Sequence, residues 1–113
     1  MMNEGRLPPN PNDLIYPLFL NGNAGAYVIT GESMQPTLWH GQILVFIATQ
    51  YAADNDIVVV KVGGETLVKR IMYQDDTVLL MSDNPKFAAI HCKHDDFIVE
   101  GVGVQILTNI PKR

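Results

Sequence analysis

Ser33 lies in the stretch Gly31-Glu32-Ser33-Met34-Gln35-Pro36-Thr37-Leu38, immediately after an apolar run, and Lys69 lies downstream in Leu67-Val68-Lys69-Arg70-Ile71. A serine hydroxyl is a poor nucleophile near neutral pH and needs a positioned base. A lysine amine can be that base once burial makes its neutral form accessible. These two side chains are therefore candidates for the nucleophile and general base of an acyl-transfer site. Amide hydrolysis also requires N–H donors aimed at the developing oxyanion. Gly31 lets the backbone bend tightly ahead of Ser33, freeing nearby N–H groups to face a carbonyl, and Pro36 stops strand pairing just beyond. Taken singly, a serine between glycine and proline is most often an ordinary turn residue.

Short strands must hold these groups in place. Tyr27-Val28-Ile29, Ile43 to Ile47, Ile57 to Val62, Leu67 to Met72, Val78 to Met81 and Phe97 to Leu107 are β-rich runs separated by turn signals, so the chain reads as all-β. The clearest unit is the hairpin of Ile57 to Val62 and Glu65 to Met72, joined by Gly63-Gly64, which supplies the positive φ a two-residue turn needs. Alternation along that second strand sends Lys69 to the same side as Leu67 and Ile71, with Val68 and Arg70 on the other. An amine among aliphatic neighbours loses hydration, which disfavours the ammonium form. The same placement also suits a lysine that lays its stem on apolar surface and keeps its head in water.

Gly101 and Gly103 within the last run suggest a bulge or a close backbone approach, and Asp83-Asn84-Pro85 reads as a turn between strands. Thr49 to Asp54 and the segment after Ser33 look helix-like without a sustained apolar stripe. Met1 to Pro11, rich in Pro, Asn and Gly, reads as an extended arm. The expected organisation is an arm or linker over residues 1–25 and one compact domain over 26–113.

The 113 residues suffice for one domain with its own core. Hydrophobic residues make up 47% and charged residues 18%, the balance of a globular protein. A formal net charge of −4, with no basic cluster beyond Pro111-Lys112-Arg113, argues against direct DNA binding by this segment. Cys92 is the only cysteine, so no internal disulfide forms and a reducing compartment is the simpler reading. The apolar stretch Leu14 to Leu20 is interrupted by Pro17 and falls far short of the ~20 residues that cross a bilayer. The start also lacks the pattern of a secretory signal, so cytoplasmic residence is expected, with no membrane partner.

Other chemistry-capable residues are weaker candidates. His91-Cys92-Lys93-His94-Asp95-Asp96 collects metal-capable side chains, but their spacing matches no common ligand set, and a polar loop before the last strand is the expected reading, with no metal site. His40 could tune access to Ser33, although a histidine with no identified acidic partner is more often a turn residue. Trp39 could line a peptide groove or pack on its rim.

Taken together, the Ser33 stretch, Gly41 with Ile43-Leu44-Val45-Phe46, Ile57-Val58-Val59-Val60 leading to Leu67-Val68-Lys69-Arg70-Ile71, Asn84-Pro85, and Val99-Glu100-Gly101-Val102-Gly103-Val104 resemble the LexA-like serine peptidases. These are self-cleaving repressors and UmuD-type proteins, related more distantly to type I signal peptidases. The resemblance runs over most of Tyr27 to Leu107. It implies a compact, mostly antiparallel β fold forming a partly open barrel, and a Ser33–Lys69 dyad. Backbone N–H groups of Ser33 and its neighbours Glu32 and Met34 would be the oxyanion donors, and no cofactor is required. It further implies a cytoplasmic regulator of the SOS or phage-repressor kind that cleaves a specific peptide segment, commonly in response to an activated recombinase filament, and a homodimer formed through the late strands, here Gly101 to Leu107.

The chain departs from the family pattern in three places. The stretch before Tyr27 is too short for the helix-turn-helix that often lies upstream, so a domain excised from a repressor-like protein is expected. Ala24-Gly25, after Tyr16-Pro17-Leu18-Phe19, is similar to the family's cleavage region and is a candidate scissile bond. The chain from Gly25 to Ser33 spans at most about 29 Å when extended, however, which favours cleavage of a second copy or another protein over cleavage in cis. Gln42 stands where relatives usually carry an acidic residue. The alternatives to a peptidase of this kind are a non-catalytic dimerisation module of a repressor and a soluble processing peptidase.

Overall fold

The computed structural model describes residues 22–108. Seven strands run in chain order: β1 (Ala24–Val28), β2 (Ile43–Ile47), β3 (Ile57–Val62), β4 (Glu65–Gln74), β5 (Thr77–Met81), β6 (Ile90–Cys92) and β7 (Phe97–Leu107). They form one sheet in the order β1-β2-β7-β3-β4-β5-β6. Every neighbouring pair is antiparallel, and the sheet curls into a half-barrel with β1 and β6 at its open edges. The all-β reading therefore holds. Most of the arm expected over residues 1–25, the Tyr16-Pro17-Leu18-Phe19 segment and the terminal Lys112-Arg113 lie outside the described residues.

The sheet has a core on each face. Val58, Val60, Ile71, Val78, Leu80, Cys92 and Val99 fill one; Ile29, Met34, Leu38, Leu44, Val59 and Val68 fill the other. Alternation divides β3 between them, Val58 and Val60 to the first and Val59 to the second. This is why Ile57 to Val60 is continuously apolar instead of alternating: a strand covered on both faces needs no polar side. Gly63 and Gly64 turn the β3–β4 hairpin at φ 57° and 85°, with Val62 directly opposite Glu65.

β7, the longest strand, lies between β2 and β3 and carries two irregularities. Val59 and Val60 oppose Gly101 and Val99, leaving Glu100 as the extra residue, and Val45 and Phe46 oppose Gln105 and Gly103, leaving Val104 extra. Gly101 on this strand and Gly25 on β1 lie beneath the Phe46 ring, whereas Gly103 lies against Leu44. A Cβ on Gly101 would fall 2.1 Å from Phe46 Cδ1, and one on Gly25 would fall 2.4 Å from Phe46 Cζ.

Two segments differ from the sequence reading. Thr49 to Asp54 is not helical; side chains take up backbone donors of the segment, Ala53 N–H donating to Asp56 Oδ2 and Tyr51 N–H to Thr49 Oγ1. The stretch read as a polar loop before the last strand contains the short strand β6, whose Cys92 is buried in the first core. Strand β1 also begins at Ala24 instead of Tyr27.

Candidate active site

The turn bearing Ser33 is anchored from both sides. Met34 and Leu38 are 1% and 0% exposed and fix it to the second core, while Gly31 takes φ 80° at its start. Thr37 and Leu38 N–H both donate to the Met34 carbonyl, at 2.8 and 2.9 Å. Gly41 N–H to Ile29 O and Ile29 N–H to Gln42 O, each 2.8 Å, close the base of the loop. His40 serves the same turn: its Nδ1 accepts the Gly31 N–H at 3.1 Å. Trp39, half exposed, donates from Nε1 to Pro36 O at 3.0 Å, and Gln42 receives Trp39 N–H at 2.8 Å while donating to Thr108 Oγ1 at 3.0 Å. A glutamine thus makes the local turn contacts here.

The segment following β5 holds the other flank. Asn84 N–H donates to Ser33 O and its Nδ2 to Glu32 O, both at 3.0 Å. Asp83 accepts from Thr37 Oγ1 and from Arg70 Nε and Nη2, the last two at 2.8 Å. Arg70 and Thr37 hold the Asp83 carboxyl below its ordinary pKa against the opposing effect of burial. The turn carrying the hydroxyl is in this way tied to the strand carrying the amine.

Lys69 is the buried charged side chain among the described residues, at 8% exposure, with Val58 opposite it across the β3–β4 ladder. Burial pushes its pKa down. Its Nζ donates to Ser82 Oγ at 2.8 Å. Ser33 and Lys69 line one cleft of about 110 Å³, walled by Tyr27 and Ile29 on one side and by Thr66, Leu67 and Val68 on the other. Tyr27 reaches along this cleft to donate from its hydroxyl to Thr66 O at 3.2 Å. Among the described residues, none of the N–H groups of Glu32, Ser33 and Met34 is bonded to a backbone carbonyl. The arrangement thus brings together a half-buried hydroxyl, a desolvated amine and uncommitted amide donors, which is the equipment of acyl transfer.

Other residues singled out from the sequence lie elsewhere. Ala24 and Gly25 are paired with Ile47 and Phe46 in β1, and of that strand the cleft takes Tyr27. His94 stacks on Tyr73 with ring centroids 6.2 Å apart, His91 is exposed on β6, and Asp96 accepts the Lys93 N–H at 2.9 Å. Among the described residues, no three His, Cys, Asp or Glu side chains are grouped to hold a metal ion. No helix among them is long and apolar enough to cross a membrane. Sequence reading missed Ser82, and it missed the clasp of Asp83 on Arg70 and Thr37.

The fold is thus a half-barrel of antiparallel strands in which a serine turn and a buried lysine line one cleft. The comparisons specify it further: the profile of the Peptidase S24-like family matches residues 10–104, and the chain belongs to that family. It is 31% identical over 97 residues to the LexA repressor of Pseudomonas chlororaphis and 32% identical over 97 residues to that of Pseudomonas aeruginosa (strain UCBPP-PA14), in each case covering 82% of this chain and 48% of the relative. Identity to the LexA repressor of Vibrio atlanticus (strain LGP32) is 33% over 84 residues, 72% of this chain and 41% of the relative. The chain spans about half the length of these relatives.

Proposed function

We propose that this chain is the peptidase domain of a LexA-like regulator, a serine endopeptidase that cuts a specific peptide segment with Ser33 as nucleophile and Lys69 as general base. The observation that supports this most is the cleft shared by the two side chains, with the pKa of the amine lowered by burial so that its neutral form is more accessible. In the reaction Ser33 Oγ attacks the scissile carbonyl carbon and its proton passes to Lys69 Nζ. The resulting oxyanion faces the N–H groups of Ser33 and of Glu32 or Met34. Collapse breaks the C–N bond, the leaving amine takes the proton back from Lys69, and water then releases the acyl group. Ala24-Gly25 is a poor choice of scissile bond while it remains in the β1–β2 ladder, so a segment supplied by another copy or another protein is the better substrate.

The test is to incubate the purified protein at mildly alkaline pH with a proteome-derived peptide library, alongside Ser33→Ala and Lys69→Ala variants. Products made by the wild type and absent with both variants support the reading. The same products from all three proteins would rule it out.

A second role rests on a different surface. Val104 and Ile106 of β7 are exposed at 46% and 38%, beside an apolar cavity of about 390 Å³ that Leu44 and Ile57 also line. This favours a homodimer contact through the late strands, whether or not the cleft is active.

A further inference from the structure

The amine of Lys69 is held by Ser82, a residue that neither the proposed chemistry nor the serine turn uses. Gln74 pairs with Thr77, Ile71 with Leu80 and Arg70 with Met81, so one further step along the β4–β5 register sets Ser82 opposite Lys69. There the Nζ–Oγ separation is 2.8 Å, and the amine's hydrogen bond goes to Ser82, not to Ser33. Resting on the dyad reading above, we infer that Ser82 is the positioning residue for the general base: its hydroxyl accepts an N–H of Lys69 and directs the amine's remaining valence toward Ser33.

The chemistry requires such a group. A neutral amine has two N–H donors and one lone pair, and a four-carbon stem lets that lone pair point anywhere. Donation to a fixed acceptor removes the rotation about the terminal bond, which leaves the lone pair free for the Ser33 proton. Ser82 is itself held, because the next residue, Asp83, is clasped by Arg70 and Thr37, and Asn84 is bonded to the serine turn. Hydroxyl and amine are therefore referenced to the same short segment, Ser82 to Asn84. The bond also acts on the ammonium form, where a charge-assisted hydrogen bond is stronger than a neutral one. Ser82 therefore tempers the desolvation of the amine while it aims it. The titratable groups on the elements packed around Lys69 are Tyr27 on β1, Glu32 on the serine turn, Lys61 on β3, Glu65, Arg70 and Tyr73 on β4 and Asp83 after β5. Burial alone accounts for the shift of the amine.

Two readouts test this on the whole chain. The first is the rate at which a fluorophosphonate–rhodamine probe labels Ser33 across pH; the Oγ–P bond forms, P–F breaks, fluoride leaves and the hydroxyl proton goes to Lys69. The second is the pH titration of the Lys69 Cε resonance in 13C-lysine-labelled protein, which needs no reaction. Ser82→Ala should lower the labelling plateau by on the order of 10-fold to 10²-fold, within the range for a misaligned base. It should also move both the acid limb and the Cε titration to lower pH. Ser82→Thr, which keeps the hydroxyl, should restore both. Superimposable labelling and titration curves for wild type and Ser82→Ala, with Ser33→Ala and Lys69→Ala unlabelled, overturn the role of Ser82 and leave the dyad intact. Full labelling of Lys69→Ala overturns the dyad itself. An unmoved Cε titration in Ser82→Ala overturns the inference even where the wild type labels poorly.

Discussion

Arg70 grips Asp83 through two N–H donors, Nε to Oδ1 and Nη2 to Oδ2, each at 2.8 Å, next to the lysine that the same strand delivers to the cleft. Thr37 joins them from the serine turn. A bidentate pair of this kind fixes direction as well as distance. It therefore determines how the Ser33 turn sits over β4.

Asp83→Ala should lower stability by about 1.5–3 kcal/mol, the usual range for a hydrogen-bonded charge, and should slow Ser33 labelling as the turn loosens. The pH dependence has a definite sign. The folded pKa of Asp83 is depressed below its ordinary value of 3.8, so its contribution is complete above that value and is lost as pH falls through the lower folded pKa. Urea denaturation of wild type and Asp83→Asn between neutral and acid pH checks this. The gap between them should close at the acid end, and a gap independent of pH would refute the assignment.

Lys69 costs stability instead of adding to it. Its folded pKa lies below the ordinary 10.5, so between the two values the unfolded chain binds the proton more tightly and stability rises with pH across that window. Below the folded pKa the penalty is at its full size. Lys69→Met, similar in shape and uncharged, should therefore be more stable than wild type at neutral pH, with the gain shrinking as pH approaches 10.5, and should be inactive. Thermal melts of the two proteins across that range decide it. A Lys69→Met protein that is less stable at neutral pH would mean the amine is not desolvated.

The two residues proposed for the chemistry were legible because their types and neighbours are unusual: a serine between Gly31 and Pro36, and a lysine within an aliphatic strand. The bounds of β2, β3 and β7 were legible too, since long β-branched runs end at clear turn signals. What escaped reading depended on register. Asp75-Asp76 has no glycine to announce a two-residue turn, yet Asp75 adopts φ 46° and Gln74 pairs directly with Thr77. Had that turn been recognised, counting back from it would have set Ser82 across from Lys69. Strand β6 escaped for a different reason: Ile90 to Cys92 is too short to show any period, and it exists because Val78 and Leu80 offer it an edge and a core.

Gly25 and Gly101 make contrasting demands on one ring. The three atoms nearest a methyl added at Gly25 all belong to Phe46, at 2.4, 2.9 and 3.0 Å, whereas one at Gly101 meets Phe46 and also the backbone oxygen of Ile47 at 2.9 Å. Each alanine variant should cost about 1–3 kcal/mol through overpacking. Adding Phe46→Leu should recover much of the loss in Gly25→Ala and little of it in Gly101→Ala, because a side chain can withdraw and a strand carbonyl cannot. Equal recovery in the two double variants by chemical denaturation would show that the ring alone sets the constraint.

The late strand carries the remaining expectation. Val104 is the extra residue of the β2–β7 irregularity and Ile106 pairs with Leu44, and both are partly exposed beside the apolar cavity shared with Ile57. Apolar side chains gathered around a cavity gain about 25 cal/mol for each Å² they remove from water, which a second copy of the same face can supply. Sedimentation of the wild type should show a dimer whose population rises with concentration. Val104→Asp or Ile106→Asp should shift it to monomer, since a charge buried at a symmetric contact meets its own copy. Both substitutions are on β7, away from Ser33 and Lys69, so labelling of Ser33 should persist in the monomer unless the cleft needs the partner. A wild type that remains monomeric at the highest attainable concentration would remove the dimer from the account and leave the cleft chemistry to stand alone.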